Sequence, residues 1–154
     1  MIEFLIDLDN KLFNFFNSKI SNTIFDLIFP VITDQDLWTL PMLGLIIYLL
    51  IARGKVGKIS VLLLLIAVGL SDFVSASILK PYFERLRPSH SELEGLILLV
   101  NKGGKYGFVS SHAANIFAAS TILSFFYFHK KKLCLTIAFL VSYSRVYVGV
   151  HFPG

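Results

Sequence analysis

Cysteine is nearly absent from this sequence. Cys134 stands alone among 154 residues and lies inside an apolar stretch. A single thiol excludes an intrachain disulfide and any cysteine-built metal site, and its apolar surroundings suggest a small core hydrophobe. No cluster of His, Cys, Asp or Glu shows metal-ligand spacing either, so neither a metal nor any other cofactor is expected. Charge is the second shortage. Asp, Glu, Lys and Arg make up 16% of the chain, against about 25% in ordinary soluble domains. Hydrophobic residues make up 55%, and the mean hydropathy is +0.72. That balance excludes an ordinary soluble surface and describes a membrane protein. The net charge of +4 comes from cations gathered around the apolar runs, with no stacked basic-aromatic motif of a nucleic-acid binder. It speaks of membrane orientation and anion binding, and against nucleic acid as a partner. No cleavable leader is expected, because Met1 is followed by Glu3, Asp7 and Asp9 instead of a basic region.

What is present begins with amphipathic pieces. Phe4, Leu5, Leu8, Leu12, Phe15 and Phe16 recur at helical spacing among Asp7, Asp9, Asn10 and Lys11. A second piece runs from Ile20 to Ile32, closed by Asp34, Gln35 and Asp36. Residues 1–36 are thus expected to form an interfacial amphipathic segment, too short in either piece to span a bilayer. Four longer apolar runs follow: Leu37–Ala52, Ile59–Leu79, Ala113–Phe128 and Leu133 to about Val150. They predict an all-α, polytopic membrane bundle of about four spans over residues 37–154, in one domain. The connections Arg53–Lys58 and His129–Lys132 are basic and lack Asp and Glu. Both are expected in the cytoplasm, which turns the long 80–111 connection outward. Asp72, the acidic residue inside the second run, reads as a structural partner for a nearby cation.

Three stretches carry chemistry. The first, Lys80–Pro88, crowds Lys80, Arg85 and Arg87 into nine residues. Pro81 and Pro88 predict about two helical turns between them, which would bring Lys80 and Arg87 nearly to one face. The plain alternative is a basic rim beside a membrane helix. The second is Gly103-Gly104-Lys105-Tyr106-Gly107-Phe108-Val109-Ser110-Ser111-His112, a glycine-rich approach to a helix start, where free N–H groups and the dipole favour an oxyanion. An ordinary capping serine beside an interfacial histidine is the competing reading. The third holds Ser144, Arg145 and His151. Residues six apart do not share a helical face, so Arg145 and His151 converge only where the helix ends or bends near Gly149.

Together these stretches resemble the type 2 phosphatidic acid phosphatase family, whose site is shared with vanadium haloperoxidases. The family's Lys, six residues, Arg-Pro pattern is matched by Lys80 through Arg87-Pro88. Its Pro-Ser-Gly-His is matched at Ser110 and His112, with Val109 and Ser111 departing. Its Ser-Arg, five residues, His pattern is matched by Ser144, Arg145 and His151, and the family's following Asp would fall one residue past Gly154. The resemblance implies a longer chain, continuing with that Asp and a further spanning helix. It also implies a metal-independent phosphatase working through a phosphohistidine. His151 would be the nucleophile and His112 the acid for the leaving oxygen, with Lys80, Arg87, Ser110, Ser111 and Arg145 holding the phosphate. The implied partners are the bilayer and a phospholipid or polyprenyl phosphate, with lipid A 1-phosphate, undecaprenyl diphosphate and phosphatidylglycerophosphate all open. The implied setting is a bacterial inner membrane, crossed several times, with the site facing the periplasm or exterior. An inactive membrane scaffold or lipid-binding module, and a vanadate-dependent haloperoxidase, are the alternatives.

Overall fold

The structure, a computed structural model, describes residues 2–91 and 93–154. Among them there is no β-strand, only a single antiparallel bridge between Leu86 and Tyr106. Helix α1 (Ile2–Asn14) runs into a π-helical segment, Phe15–Lys19. Helix α2 (Thr23–Thr33) is capped by Asn22, whose side chain accepts from the Phe25 N–H at 3.0 Å. Asp34 then caps α3 (Gln35–Ala52) through the Asp36 N–H, also at 3.0 Å. Helix α4 (Gly54–Phe73) continues through a π-helical segment (Val74–Leu79) into the single turn α5 (Lys80–Phe83). A long irregular connection leads to α6 (Ser111–Phe126), and α7 (Lys131–Tyr147) closes the described helices. In the bundle α3 packs on α4, α4 on α6, and α6 on α7, while α2 lies against α7.

Two of the four expected spans are long and apolar enough to cross a membrane: Gln35–Ala52 and the continuous helix Gly54–Phe83. Only 6% of the first window and 22% of the second are buried inside the protein. The core helix of a soluble domain would be enclosed, whereas these helices expose long apolar faces of the kind a bilayer accommodates. The other two runs make shorter helices, of 16 residues in α6 and 17 in α7. Both helices start two residues before the sequence runs and stop short of their ends. Phe128–Lys130 forms a tight 3-10 turn, and the chain after Tyr147 leaves the helix to build the site.

The N-terminal pieces do more than line a surface. Phe4, Leu5, Leu8 and Leu12 face outward, but Phe13 and Asn17, one turn apart on the other side, are fully enclosed. Asn17 donates to the carbonyls of Ile97 and Tyr147, each at 2.7 Å, and accepts from the Ile97 N–H at 2.9 Å. It thereby ties α1 to the long connection and to the end of α7. Beside it lies a core of Phe29, Tyr147, Val148 and Val150, overlaid by Ile20, Ile32 and Leu98 to Val100. The core thus sits directly beneath the last helix end, which it holds still.

Candidate active site

Lys80 and Arg87 are brought near the same point by a route the sequence did not suggest. The helix ends at Phe83, and Glu84 takes a left-handed conformation at φ +45. The expected two helical turns are therefore one, because a non-glycine residue at positive φ cannot propagate a right-handed helix. Beyond Glu84 the chain is extended and pairs with the glycine-rich stretch. The Arg87 N–H donates to the Lys105 carbonyl at 3.1 Å and the Gly107 N–H to the Arg85 carbonyl at 2.8 Å. The first two motifs are in this way one short two-stranded contact.

That pairing accounts for two of the glycines. A Cβ on Gly107 would lie 2.8 Å from Arg87 Cγ, and one on Gly103, which sits at φ +70, would lie 3.4 Å from the guanidinium carbon. The glycines let the backbone close over Arg87, which is only 8% exposed. Its Nε donates to the Tyr106 carbonyl at 3.2 Å, and its Nη1 donates to the Val150 carbonyl at 3.3 Å. Burial lowers its pKa from the ordinary arginine range, yet a guanidinium remains charged at any physiological pH. Arg85 points elsewhere, as its position suggested. It pairs with Asp9, donates to the Gly154 carbonyl, and stacks on Phe152 at 4.5 Å.

The start of α6 divides its work between two serines. Ser110 is the cap, its hydroxyl accepting from the Ala113 N–H at 3.4 Å. Ser111 instead receives the Lys80 ammonium, Nζ to Oγ 2.8 Å. His112, half-buried in the first turn, lines two cavities, one shared with Arg145 and the other with Asp72 and Asn115. Asp72 accepts from the Asn115 amide at 3.0 Å and makes no ion pair among the described residues. Lys80 lies within electrostatic reach of Asp72 without a direct ion pair, and the Asn115 amide is the carboxylate's hydrogen-bond donor.

At the end of α7 the chain leaves the helix as the six-residue spacing requires. Gly149 sits at φ +85, and the N–H groups of Val150 and His151 both turn back to the Arg145 carbonyl, at 3.2 and 3.1 Å. No side chain fits at Gly149, where a Cβ would stand 2.5 Å from the Ile97 carbonyl oxygen. The reversal returns His151 toward Arg145. His151 is 4% exposed, with its Nε2 3.0 Å from Arg87 Nη1. A guanidinium can only donate, so Nε2 offers its lone pair and the ring proton belongs on Nδ1. Burial first, then the charges of Arg87 and Arg145, push the His151 pKa down to about 2, against a smaller opposing pull from the Gly107 carbonyl. The ring is held neutral and basic nitrogen is presented to a cationic pocket.

Arg145 joins the two sides of the site. It lines a cavity of about 270 Å³ with His151 and Ser110, and a wider one of about 970 Å³ with His112. Its Nη1 donates to Thr33 Oγ1 at 2.8 Å, and its Nε is buried without a partner among the described residues. An anion on Arg145 would have one histidine toward each flank. Thr33 and Asn17 were not singled out by sequence reasoning. Asn17 follows the apolar Phe13 by one turn, a polar residue on an inward face, and that periodicity was the available signal. Thr33 carries no such mark beyond ending a helix. Among the described residues no cluster of His, Cys, Asp and Glu could hold a metal ion.

Residues 60–154 match the PAP2 superfamily. The chain is 37% identical over 163 aligned residues to a lipid A 4′-phosphatase of Bacteroides thetaiotaomicron, covering all of this chain and 71% of that protein. It is 29% identical to a lipid A 4′-phosphatase of Porphyromonas gingivalis, covering 98% of this chain and 66% of that one. Among solved structures it resembles Aquifex aeolicus LpxE, with a TM-score of 0.76 and 32% identity over 93% of this chain and 82% of the other. The fold is also that of the PAP2-type phosphatidylglycerolphosphate phosphatase of Bacillus subtilis, with a TM-score of 0.71 and 23% identity over 96% and 75% of the two chains. A buried histidine lone pair facing clustered arginines, on a helical bundle that matches these proteins, makes this chain a member of the PAP2 superfamily and a phosphomonoester hydrolase of the lipid phosphatase kind.

Proposed function

We propose that this protein removes a phosphate from a membrane lipid by way of a phosphohistidine on His151, without a metal ion. The observation that carries the reading is the His151 Nε2 lone pair, held against Arg87 in a pocket that Arg145 also lines. The phosphoryl group rests on Lys80, Arg87 and Arg145, with the Ser110 hydroxyl and the Ser111 N–H at the helix start completing the cradle. Nε2 forms a bond to phosphorus as the bond from phosphorus to the lipid oxygen breaks, and His112 gives that oxygen its proton. His112 then takes a proton from water as the water oxygen attacks phosphorus, releasing inorganic phosphate and restoring neutral His151. Such a transfer is governed by positioning and by charge stabilisation on the equatorial oxygens, which three cations and a helix N-terminus supply.

The chain spans 71% and 66% of the two lipid A 4′-phosphatases it resembles. Their names make the 4′-phosphate of lipid A the first substrate to assay, ahead of the 1-phosphate, undecaprenyl diphosphate and phosphatidylglycerophosphate. Four helices, α3, α4, α6 and α7, cross the bacterial inner membrane in this reading, and α1 lies in the interface. The acid-free basic connections at Arg53–Lys58 and His129–Lys132 support a catalytic face on the outer side. The test is phosphate release from a detergent-solubilised lipid panel, with acid-labile, base-stable phosphate trapped on the protein. His151→Ala should abolish both while the protein stays folded. Near-normal release from that variant would refute the mechanism.

A further inference from the structure

We propose that Asp34 and Asp36 select the headgroup, favouring one that offers hydroxyl or ammonium donors beside the phosphate and rejecting a diphosphate, in which a second phosphate is joined directly to the first. The inference rests on the phosphatase reading above and deepens it. The cavity of about 970 Å³ has Arg145 and His112 in its lining, and the turn between α2 and α3 contributes Asp34, Gln35 and Asp36, with Asn101 from the long connection. Its volume lies at the upper end of what small-molecule sites enclose, about 300–1,000 Å³, and exceeds the needs of a phosphate alone. The turn is tied to the site itself, because Thr33, the residue before Asp34, receives the Arg145 guanidinium at 2.8 Å.

Charge then decides what the outer part of this cavity accepts. Arg145 is its only lysine or arginine among the described residues, while Lys80 and Arg87 lie outside its lining. A phosphate seated on those three cations leaves no cation for a neighbouring one. A second phosphate would instead face two exposed carboxylates. Capping accounts for part of Asp34, whose Oδ1 accepts from the Asp36 N–H at 3.0 Å. The Asp36 carboxylate has no hydrogen-bond partner among the described residues, which leaves it open to a ligand donor. Carboxylates, an amide and Gln35 form an acceptor-rich wall that a sugar's hydroxyls can satisfy and a diphosphate cannot.

The experiment compares kcat/KM in detergent micelles for two lipids with the same single alkyl chain, one bearing a sugar monophosphate and the other a diphosphate. The wild-type protein should prefer the sugar monophosphate by about tenfold or more, and Asp36→Asn should reduce that ratio. Asp36→Lys should reduce it further, by about tenfold, mainly through a lower KM for the diphosphate. Each ratio is internal to one preparation, so a partly unfolded variant still reports its preference. Phosphate release with a ratio unchanged in both variants, or a wild-type preference for the diphosphate, overturns the selection while leaving the phosphatase reading intact. No release from any lipid by the wild-type protein would overturn both.

Discussion

Arg87→Lys keeps the charge of the site and removes its shape. In the structure one guanidinium serves three acceptors: the Tyr106 carbonyl at 3.2 Å, the Val150 carbonyl at 3.3 Å and His151 Nε2 at 3.0 Å. A lysine brings a single nitrogen on a flexible stem and cannot reach all three. Hydrogen bonds to a charged donor contribute about 1.5–3 kcal/mol each, and a buried acceptor left without a partner adds its own desolvation cost. With Arg87 8% exposed, solvent does little to repair the loss. Stability should fall by about 2–4 kcal/mol. Catalysis should fall further, because the lost donor also faces developing charge on the phosphoryl oxygens. Removing one such donor costs about 10²- to 10³-fold in kcat, or about 2.7–4 kcal/mol of transition-state binding. The assay is kcat for lipid phosphate release, beside a denaturation midpoint in the same detergent. A variant that keeps kcat within about threefold would show that charge alone suffices, against the geometric argument.

Thr33→Val should lower kcat/KM by about fivefold to tenfold by releasing Arg145, and Thr33→Ser should restore it; equal loss in both would mean that only packing is at stake. Gly149→Ala forces a Cβ to 2.5 Å from the Ile97 carbonyl at φ +85, and should lower the unfolding free energy by about 2 kcal/mol or more; an unchanged midpoint would contradict the tight reversal. Stability should also depend on acid through His151, whose pKa falls from 6.5 to about 2 on folding. The unfolded chain then binds a proton that the folded one does not, so stability is complete above the unfolded value of 6.5 and declines as pH falls toward about 2. The full slope is about 1.4 kcal/mol per pH unit, and denaturation midpoints in His151→Asn should lose that component between pH 6.5 and 5, a shift of about 2 kcal/mol.

Much of the site could be read from spacing because its residues sit at chain features that leave local marks. The serines at the start of α6 and the glycine four residues after Arg145 each mark a helix terminus. The Arg145 to His151 reversal followed from six residues failing to share a face, and the chain does leave the helix at Tyr147. What misled was the assumption that Lys80 and Arg87 meet on a helix. Glu84 breaks it, and no propensity favours a left-handed glutamate, so only the tertiary pairing of Leu86 with Tyr106 accounts for the turn. The glycines had a visible signature with the wrong partner, since Gly103 and Gly107 make room for Arg87. Thr33 was invisible for a different reason: its bond to Arg145 spans 112 positions and involves no repeating pattern.

The Asn17 side chain has a consequence for how such a protein comes into being. It joins positions 80 residues apart at Ile97 and 130 residues apart at Tyr147. Both α3 and α4 are made before Tyr147, so the Asn17 amide cannot close this contact while they are being synthesised. The pocket around His151 can be finished only when the reversal after Tyr147 emerges and finds that amide. The reversal that carries His151 is therefore fastened from outside its own helix, by an amide supplied 130 positions earlier in the chain.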